Sequence, residues 1–239
     1  KSEVREVIMT EREKMLAGML YDCADAELLT QWHKAKDLIR DYNRTDSADA
    51  TEKERILGAL LGRKGKNLWI TAPFYVDYGN QIYFGNNCDM NCTFLDDDVI
   101  RIGDNALIAP NVQIYTAFHP TNAADRFGVP KEDGSFEFCK TQTAPVTIGD
   151  NVWIGGGVII LPGFTIGNNV VIGCGEEAPN VLKPAVYAFG IATVGERSVI
   201  PDNVRIGKNT AISGITVPED YPDGELAGGQ VITAKDGDE

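Results

Sequence analysis

The sequence predicts a mainly β solenoid, a coil in which each third of a turn is one six-residue unit. The prediction comes from the stretch between Thr147 and Cys174, where an isoleucine returns every six positions: Ile148, Ile154, Ile160, Ile166 and Ile172. A second apolar residue follows each of the first four isoleucines by four positions: Val152, Val158, Phe164 and Val170. Because a period of six fits neither an α-helix nor a two-sided strand, we expect each isoleucine to point into a narrow core. Gly and Asn are then expected in the tight turns between successive units, where φ is positive.

Residues 1–65 are predicted to be helical and to cap the open end of the solenoid. Three N-cap signals mark the helices: Thr10 with Glu13, Asp25, and Thr51 with Glu54. Gly62 or Gly65 would end the last helix. A role in lining a substrate site stays open beside the role as a cap. Met9 resembles a natural start residue, so residues 1–8 are interpreted as upstream sequence.

Residues 66–175 are predicted to form the main β-helical domain. Counting back in sixes from Ile102 gives Asp96, Met90 and Phe84, so either the turn is distorted at Asp96 or the phase slips there. The period then stops for about 30 residues, over the loop 116–145, with His119 at its first step. A long irregular excursion from a regular scaffold is usually functional.

Residues 176–239 are predicted to be divergent turns of the coil followed by an acidic tail. The period is lost after Cys174 and returns at Val194, Ile200, Ile206 and Ile212. The last stretch, TVPEDYPDGELAGGQVITAKDGDE, has no period and is predicted to be a surface tail or partly disordered. Whether the returning turns stack on the first coil is left open by the sequence.

Composition and charge limit the kinds of molecule that this protein is expected to bind. The chain has 43% apolar and 24% charged residues and a formal net charge of −13 at pH 7. This charge argues against nucleic acid or an anionic membrane as a partner, since phosphate binding needs clustered Lys and Arg. No apolar run reaches the length of a membrane span, and no signal peptide is evident. The five scattered cysteines form no zinc-site pairs, which favours free thiols in a reducing cytoplasm.

The sequence contains two histidines, His33 and His119. The gamma-type carbonic anhydrases resemble this chain in their repeat but bind zinc through three histidines, so no metal site is expected here. His33 lies in a predicted helix beside Trp32 and is interpreted as a surface or packing residue. His119, in the string IYTAFHP, is a candidate general base, since imidazole takes up a proton near neutral pH.

Three stretches resemble one known family. KMLAGMLYD, FGNNCDMNCTFLDDDVIRIGDNALIAPNVQIYTAFHP and PVTIGDNVWIGGGVIILPGFTIGNNVVIG occur in the order found in the maltose and galactoside O-acetyltransferases of the hexapeptide-repeat superfamily. The resemblance covers roughly residues 9–175. It implies a left-handed parallel β-helix, a homotrimer with active sites between subunits, and acetyl-CoA as the acetyl donor.

The resemblance also implies roles for individual residues. His119 would deprotonate a sugar hydroxyl for direct attack on the thioester. Trp153, Gly155 and Gly156 match positions beside the acetyl-CoA arm, and the backbone N–H of Gly156 would face the developing oxyanion. The implied acceptor-side residues are Asp22, Asp77, Asp89, Asn91 and Asp97. Trp153 is otherwise explained as a core or interface residue, and Asp97 as an ordinary turn aspartate.

The chain departs from the family pattern at three places. Asp89 stands where the family usually has Asn beside the histidine, and a carboxylate there would raise the pKa of the base. Asp77 replaces a small polar residue of the acceptor pocket. After VIGCGE the basic stretches expected near the cofactor phosphates are missing, and residues from about 190 to 235 weakly resemble the C-terminal β-helix of ADP-glucose pyrophosphorylases. The candidate replacement cations are Lys183, Arg197, Arg205 and Lys208.

We therefore expect an acetyl-CoA-dependent O-acetyltransferase that acts on a maltose-, glucose- or galactoside-type sugar by direct transfer in a ternary complex. An acetyl-cysteine route is not favoured, because no Cys has a basic partner visible in the sequence. Two alternatives stay open. One is a β-helix scaffold or regulatory module with impaired cofactor binding, and the other is an acetyltransferase of antibiotics.

Overall fold

The six-residue period becomes a parallel β-helix with a triangular cross-section, as the sequence predicts. The computed structural model describes residues 9–128, 132, 134 and 139–234. Face 1 carries β2 (Trp69–Ile70), the start of β4 (Asp89–Leu95), the start of β6 (Leu107–Tyr115), β10 (Trp153–Ile154), β13 (Val171–Cys174), β16 (Arg205–Gly207) and β18 (Glu225–Leu226). Face 2 carries the ends of β4 and β6, then β11 (Ile159–Ile160), β14 (Thr193–Val194), β17 (Ala211–Ser213) and β19 (Val231–Thr233). Face 3 carries β3 (Ile82–Phe84), β5 (Ile100–Ile102), β9 (Val146–Ile148), β12 (Thr165–Ile166) and β15 (Val199–Ile200).

Isoleucines of successive turns stack directly on one another in the core. Ile154 pairs in parallel register with Ile108 on one side and with Ile172 on the other. Ile154 and Ile172 are fully buried, and burying a side chain of this size is worth about 1.5–3 kcal/mol. Because every turn repeats this burial on its neighbours, the coil is stabilised along its whole length.

The corner between face 3 and face 1 is built from a Gly-Asp/Asn-Asn pattern. A Cβ on Gly149 would lie 2.6 Å from Oδ1 of Asn168 in the next turn, so only glycine fits at that position. The Asn that ends each corner has a positive φ, and five of these six asparagines donate their side-chain amide to the Asn of the neighbouring turn at 2.9 Å. We call this column the asparagine ladder: Asn67, Asn87, Asn105, Asn151, Asn169 and Asn203.

The N-terminal segment contains α1 (Glu11–Leu16), α2 (Ala26–Arg44) and α3 (Ala50–Leu60). Side chains of α2 and α3, such as Ile39 and Leu60, belong to the same buried cluster as Ile70 of the first turn. The helices therefore pack on the first turn of the coil, and the role of residues 1–65 as a cap stays a prediction. The capping box of Thr10 and Glu13 and the N-cap Asp25 are confirmed. Residues 1–8 lie outside the described residues.

Three expectations for this segment are wrong. The N-cap of α3 is Asp49, which accepts a hydrogen bond from Glu52 N at 3.0 Å, so the helix begins before the expected Thr51 box. Gly62 and Gly65 do not end α3, because the chain is already extended at Leu61. Both glycines instead lie against the backbone of the first turn, at Asn80 and Gly85. The helix through KMLAGMLYD stops at Leu16, and a short strand follows it.

Two insertions leave the coil without disturbing its register. The first insertion, residues 116–145, leaves from the corner between faces 2 and 3 and contains α4 (Ala123–Arg126). The second insertion, residues 175–191, leaves from the corner between faces 1 and 2. After it, Val194 pairs with Ile160 and Ile206 pairs with Ile172. The returning turns therefore stack on the first coil.

The prediction of a surface tail or a partly disordered segment is wrong for most of the described part of this stretch, residues 216–234. Two short 3₁₀ helices, Pro218–Asp220 and Pro222–Gly224, lead into a further turn. In that turn Leu226 pairs with Ile206, and Ile232 pairs with Ile212. Leu226 lies fourteen positions after Ile212, so counting in sixes from Ile212 misses this turn.

No α-helix in the described ranges 9–128 and 139–234 has the length and apolar content needed to cross a bilayer.

Candidate active site

A small antiparallel sheet joins the N-terminal segment to the first insertion. Its central strand β8 (Lys140–Thr143) pairs with β1 (Tyr21–Asp22) on one side and with β7 (Ala117–Phe118) on the other. Tyr21 lies opposite Thr141, and Phe118 lies opposite Gln142. Continuing these registers by one residue places His119 opposite Thr141, and Cys23 opposite Cys139. Directly opposite residues share a face of a sheet, so five side chains meet on one face: Tyr21, Cys23, His119, Cys139 and Thr141.

Three polar atoms lie within contact distance of Nδ1 of the His119 imidazole. Its Nδ1 lies 3.0 Å from the carbonyl oxygen of Lys140, 3.3 Å from Oγ1 of Thr141 and 3.4 Å from Sγ of Cys139. A carbonyl accepts but cannot donate, so Nδ1 carries the proton and donates to Lys140 O. This tautomer leaves Nε2 as the basic nitrogen, and the side chain is exposed to solvent. His33, by contrast, is exposed on α2 and makes an edge contact with Trp32.

Cys139 has a basic neighbour in the folded chain, the imidazole of His119. No cysteine has a basic partner visible in the sequence, but the antiparallel register supplies one in space. The Cys139 thiol is only 7% exposed and reaches Nδ1, whereas Nε2 is on the other edge of the ring.

Asp97 lies beneath this sheet and is buried, with 8% exposure. Its Oδ1 accepts a hydrogen bond from the Tyr21 hydroxyl at 2.7 Å. Burial raises the pKa of Asp97 to about 6, although the Tyr21 hydrogen bond and the charge of nearby His119 both favour its ionised form. Near neutral pH a buried carboxylate therefore lies close to the candidate base, fixed by a phenol.

A second buried carboxyl group, Asp96, has a structural role. Its Oδ1 accepts hydrogen bonds from Asp77 N at 2.8 Å and from Tyr78 N at 3.0 Å. Burial raises its pKa to about 8, in spite of these two hydrogen bonds. Asp96, which is out of phase with the repeat in the sequence, therefore links the second turn to the first through hydrogen bonds with backbone N–H groups.

Two other predicted acceptor residues have partners within the chain. The carboxylate of Asp77 forms an ion pair with Lys36 at 2.7 Å and accepts a hydrogen bond from Trp32 Nε1 at 3.2 Å. Asp22 accepts a hydrogen bond from Ala24 N at 2.9 Å, in the turn after β1. Asp22 is next to Cys23 and thus lies at the edge of the small sheet, whereas Asp77 links α2 to the coil.

The remaining predicted residues line a groove on face 1. Trp153 is 40% exposed and, with Asp89 and Asn91, borders a cavity of about 430 Å³. Asp89 and Trp153 flank Leu107 in the register of face 1, so they stand two turns apart with the turn of Leu107 between them. Asn91 donates its amide to Thr71 O at 2.9 Å. This groove is on a different face from the corner between faces 2 and 3, where Asp97 and the first insertion lie.

The three glycines after Ile154 form the corner between faces 1 and 2. A Cβ on Gly155 would lie 2.9 Å from Ile172 O, and its N–H donates to that same oxygen at 2.7 Å. Gly157 donates to Pro110 O at 3.2 Å. No described residue accepts a hydrogen bond from Gly156 N–H, so this donor is open to a ligand.

The four candidate cations do not share one location. Arg205 is exposed on face 1, in register with Val171, which in turn pairs with Trp153. Lys208 and Lys183 lie on the same side as the second insertion, at the corner between faces 1 and 2. Arg197 lies at the corner between faces 2 and 3, where its backbone N–H donates to Pro162 O.

Three residues of this site have no recognisable signal in the sequence: Tyr21, Lys140 and Thr141. Their strands are two to four residues long, which is too short for a period to be visible. The pairing of β1 with β8 also joins residues more than a hundred positions apart.

The arrangement is suited to proton removal from a polar substrate. An oriented imidazole with a free Nε2 next to a carboxylate can take a proton from a hydroxyl group. Within the described residues, no three His, Cys, Asp or Glu side chains are placed to hold a metal ion.

Comparisons with known proteins agree with this architecture. Residues 14–65 match the family described as maltose acetyltransferase hexapeptide capping motif. Residues 145–175 match the family described as bacterial transferase hexapeptide (six repeats). The galactoside O-acetyltransferase of Escherichia coli K12 is 35% identical over 181 residues, which cover 75% of this chain and 84% of the relative.

Two solved structures are similar over most of the chain. A maltose O-acetyltransferase from Clostridium difficile 630 has 39% identity and a TM-score of 0.64, covering 82% of this chain and 91% of its own. A galactoside acetyltransferase in complex with coenzyme A has 31% identity and a TM-score of 0.66, covering 83% of this chain and 86% of its own.

Proposed function

Because the chain belongs to the maltose and galactoside acetyltransferase family of hexapeptide-repeat enzymes, we propose that it transfers the acetyl group of acetyl-CoA to a sugar hydroxyl. The observation that carries this proposal is the imidazole of His119, whose Nδ1 is 3.0 Å from Lys140 O and whose Nε2 is left basic. In this role Nε2 removes the proton of the acceptor hydroxyl as its oxygen attacks the thioester carbonyl.

Asp97 orients the acceptor. A carboxylate accepts hydrogen bonds from two hydroxyl groups at once, which suits the vicinal hydroxyls of a sugar. The Tyr21 hydroxyl occupies Oδ1 at 2.7 Å, which leaves Oδ2 for the acceptor. Asp22, next to Cys23 at the sheet edge, is assigned to a further hydroxyl of the acceptor, whereas Asp77 acts indirectly through its ion pair with Lys36 of α2.

The groove on face 1 fits the donor. Trp153 offers an exposed aromatic surface to the pantetheine arm, and the free N–H of Gly156 is a donor for the negative charge that develops on the carbonyl oxygen. Gly155 contributes through its lack of a side chain, since a Cβ there would collide with the next turn. Arg205 on face 1, and Lys183 and Lys208 at the corner between faces 1 and 2, are assigned to the phosphates of the donor. When bound, acetyl-CoA supplies the activated acetyl group.

We retain direct transfer over an acetyl-cysteine route. Cys139 is 7% exposed and contacts Nδ1, the nitrogen that donates to Lys140 O. A thiol nucleophile needs an accessible sulfur and a base that is free to take its proton.

The active site is completed by a second copy of the chain in a homotrimer. The groove with Trp153, Asp89 and Asn91 is on face 1, whereas His119 and Asp97 are at the corner between faces 2 and 3. Apolar side chains are exposed along face 1, with Trp69 64% and Leu107 50% accessible in the single chain. Packing face 1 of one subunit against the loop-bearing corner of the next would cover these side chains and bring Asp89 to the neighbour's His119.

A steady-state assay with a matched control tests the catalytic part of the proposal. Coenzyme A release is measured with glucose, maltose and a galactoside for the wild type, His119→Ala and His33→Ala. We expect His119→Ala to lower kcat by about 10²-fold or more, as for loss of a general base, with the oligomer intact in sedimentation. His33→Ala should match the wild type. Release with none of these sugars, but with an antibiotic acceptor, would refute the sugar assignment. Full activity of His119→Ala would refute the base.

Mixing two defective variants tests the shared site. His119→Ala and Trp153→Ala subunits are co-expressed with different tags, and the mixed oligomer is purified. If each site takes His119 from one subunit and Trp153 from its neighbour, about one third of the sites in the purified mixed trimers are intact. Activity well above that of either variant alone is expected. Activity equal to the average of the two variants would show that each site lies within one chain.

A further inference from the structure

Cys23 and Cys139 face each other across the small sheet, directly beside His119. Cys23 follows β1 and Cys139 precedes β8, and the register of Tyr21 with Thr141 and of Asp22 with Lys140 makes them the next cross-strand pair. The Cys23 thiol donates to the carbonyl oxygen of Cys139 at 3.3 Å. Opposite residues of an antiparallel pair have Cα atoms about 4.5–5.5 Å apart, and disulfides span Cα separations of about 4.4–6.8 Å.

The other described cysteines have no such pairing. Cys88, Cys92 and Cys174 are buried in the coil, where Cys88 and Cys174 donate to backbone carbonyls of a neighbouring turn. Only the pair on the small sheet joins the N-terminal segment to the first insertion, and only that pair includes a thiol in contact with the candidate base.

We propose that Cys23 and Cys139 are a site of reversible oxidation, at which a cross-strand disulfide forms beside His119 and lowers transferase activity. The disulfide itself is independent of the function proposed above, whereas its effect on activity rests on that function. All five cysteines are free thiols in the structure described here.

A hydroperoxide is the oxidant of the required chemical class, and the reaction balances with hydrogen peroxide. Cys23 is the more accessible thiol of the pair, so its sulfur attacks one peroxide oxygen. The O–O bond breaks, and hydroxide leaves as water with the thiol proton. The Cys139 sulfur then attacks the resulting sulfenic sulfur, the S–O bond breaks, and a second water leaves with the second thiol proton. Two thiols are oxidised and one peroxide is reduced to two waters.

Disulfide formation disturbs the imidazole through two contacts. The Cys139 sulfur moves from Nδ1 of His119 toward Cys23, and the adjoining carbonyl of Lys140, which holds the tautomer, moves with the same backbone. A displacement of about 1 Å in a catalytic group can cost on the order of 10²-fold in rate. We expect oxidation to lower kcat by about tenfold or more, with recovery on reduction by a dithiol.

Peptide mapping tests the disulfide without reference to activity. The full chain is incubated with hydrogen peroxide at about pH 8.5, because burial raises the pKa of the Cys23 thiol and slows its reaction at lower pH. Remaining thiols are alkylated, and the protein is digested and analysed by mass spectrometry without reduction. We expect a peptide pair linked through Cys23 and Cys139 that is lost after reduction. Absence of this pair after complete oxidation of accessible thiols would overturn the proposal.

Activity measurements on variants test the consequence. The ratio of oxidised to reduced activity is determined for the wild type, Cys23→Ser and the control Cys174→Ala, each relative to its own reduced form. The ratio should fall in the wild type and in Cys174→Ala and stay near one in Cys23→Ser. Equal inactivation of Cys23→Ser and wild type would refute the regulatory effect. A reduced wild type that acetylates no sugar would refute the function proposed above and leave the peptide mapping to decide the disulfide.

Discussion

Replacing Asp96 by Asn should make the protein more stable at neutral pH and less stable at acidic pH. Asp96 is fully buried, and burial raises the pKa of its carboxyl from 3.8 to about 8. The folded chain therefore binds a proton that the unfolded chain releases, so the free energy of unfolding falls as pH rises from about 4 to about 8. At pH 7 the carboxyl is ionised in the unfolded chain and mostly protonated in the folded one, so the free energy of unfolding is about 4 kcal/mol lower than near pH 4, from roughly 3 pH units at about 1.4 kcal/mol each.

The amide removes that pH dependence but brings a cost of its own. Asn keeps an oxygen for the N–H groups of Asp77 and Tyr78. Its NH₂ places two donors where the protonated carboxyl of the wild type places one, at the position of Oδ2, which has no hydrogen-bond partner among the described residues. An unsatisfied buried donor costs about 1–3 kcal/mol. We therefore expect Asp96→Asn to be less stable than the wild type near pH 4 and about 1–3 kcal/mol more stable at pH 7.

Urea denaturation between pH 4 and pH 8.5 measures this difference, at one protein concentration because association of chains would change the apparent stability. Asp104→Asn is the control of opposite sign. Hydrogen bonds from Asn86 lower the pKa of Asp104, so the stability that its charge provides is present at neutral pH and is lost as pH falls. A difference between wild type and Asp96→Asn that does not change with pH would refute the reasoning.

Three further predictions concern the site and the coil. Tyr21→Phe removes the hydrogen bond that favours ionised Asp97, so the pKa of Asp97 should rise above about 6 and the acidic limb of the kcat/KM profile should move up by about 1 pH unit. Gly155→Ala should destabilise the fold by about 1–3 kcal/mol in urea, because the new Cβ would lie 2.9 Å from Ile172 O. Asn180→Ala should speed proteolytic cleavage within the second insertion, since this buried side chain accepts from two backbone N–H groups and donates to a carbonyl.

Each of these three has a result that contradicts it. An unchanged acidic limb in Tyr21→Phe would mean that Asp97 does not control that limb. For Gly155→Ala the matched control is Gly58→Ala in α3, where a Cβ has room and helix propensity should add about 0.5–1 kcal/mol. Loss of stability in both variants would point to a general intolerance of substitution. An unchanged cleavage pattern in Asn180→Ala would show that the insertion is held by other contacts.

The coil was predictable from sequence because each turn repeats the same local rule. Ile148, Ile154 and Ile160 each occupy one face, and no long-range information is needed to place them. The rule fails where a turn has extra residues, as before Leu226, or where a buried polar group replaces an apolar one, as at Asp96. In both cases a tertiary hydrogen bond or a longer corner compensates for the broken period.

The candidate site was predictable only in part. His119 could be found because histidine is scarce and because the loop interrupts a regular repeat. Its partners could not, since Tyr21 and Thr141 meet through two-residue pairing between distant segments, and such short strands have no periodic signal. The division of the chain at residues 65 and 175 also stays a prediction.

The asparagine ladder has a consequence for how this fold can change. Neighbours in the ladder are 18 residues apart at Asn87 and Asn105 but 46 apart at Asn105 and Asn151, and both pairs are joined by the same 2.9 Å hydrogen bond. The spacing of the turns is thus fixed at one corner, while both insertions leave from the other two. Loops at those two corners can be lengthened, shortened or exchanged between relatives without altering the pitch of the coil. The loop that carries His119 can therefore be exchanged while the hydrophobic core remains unchanged.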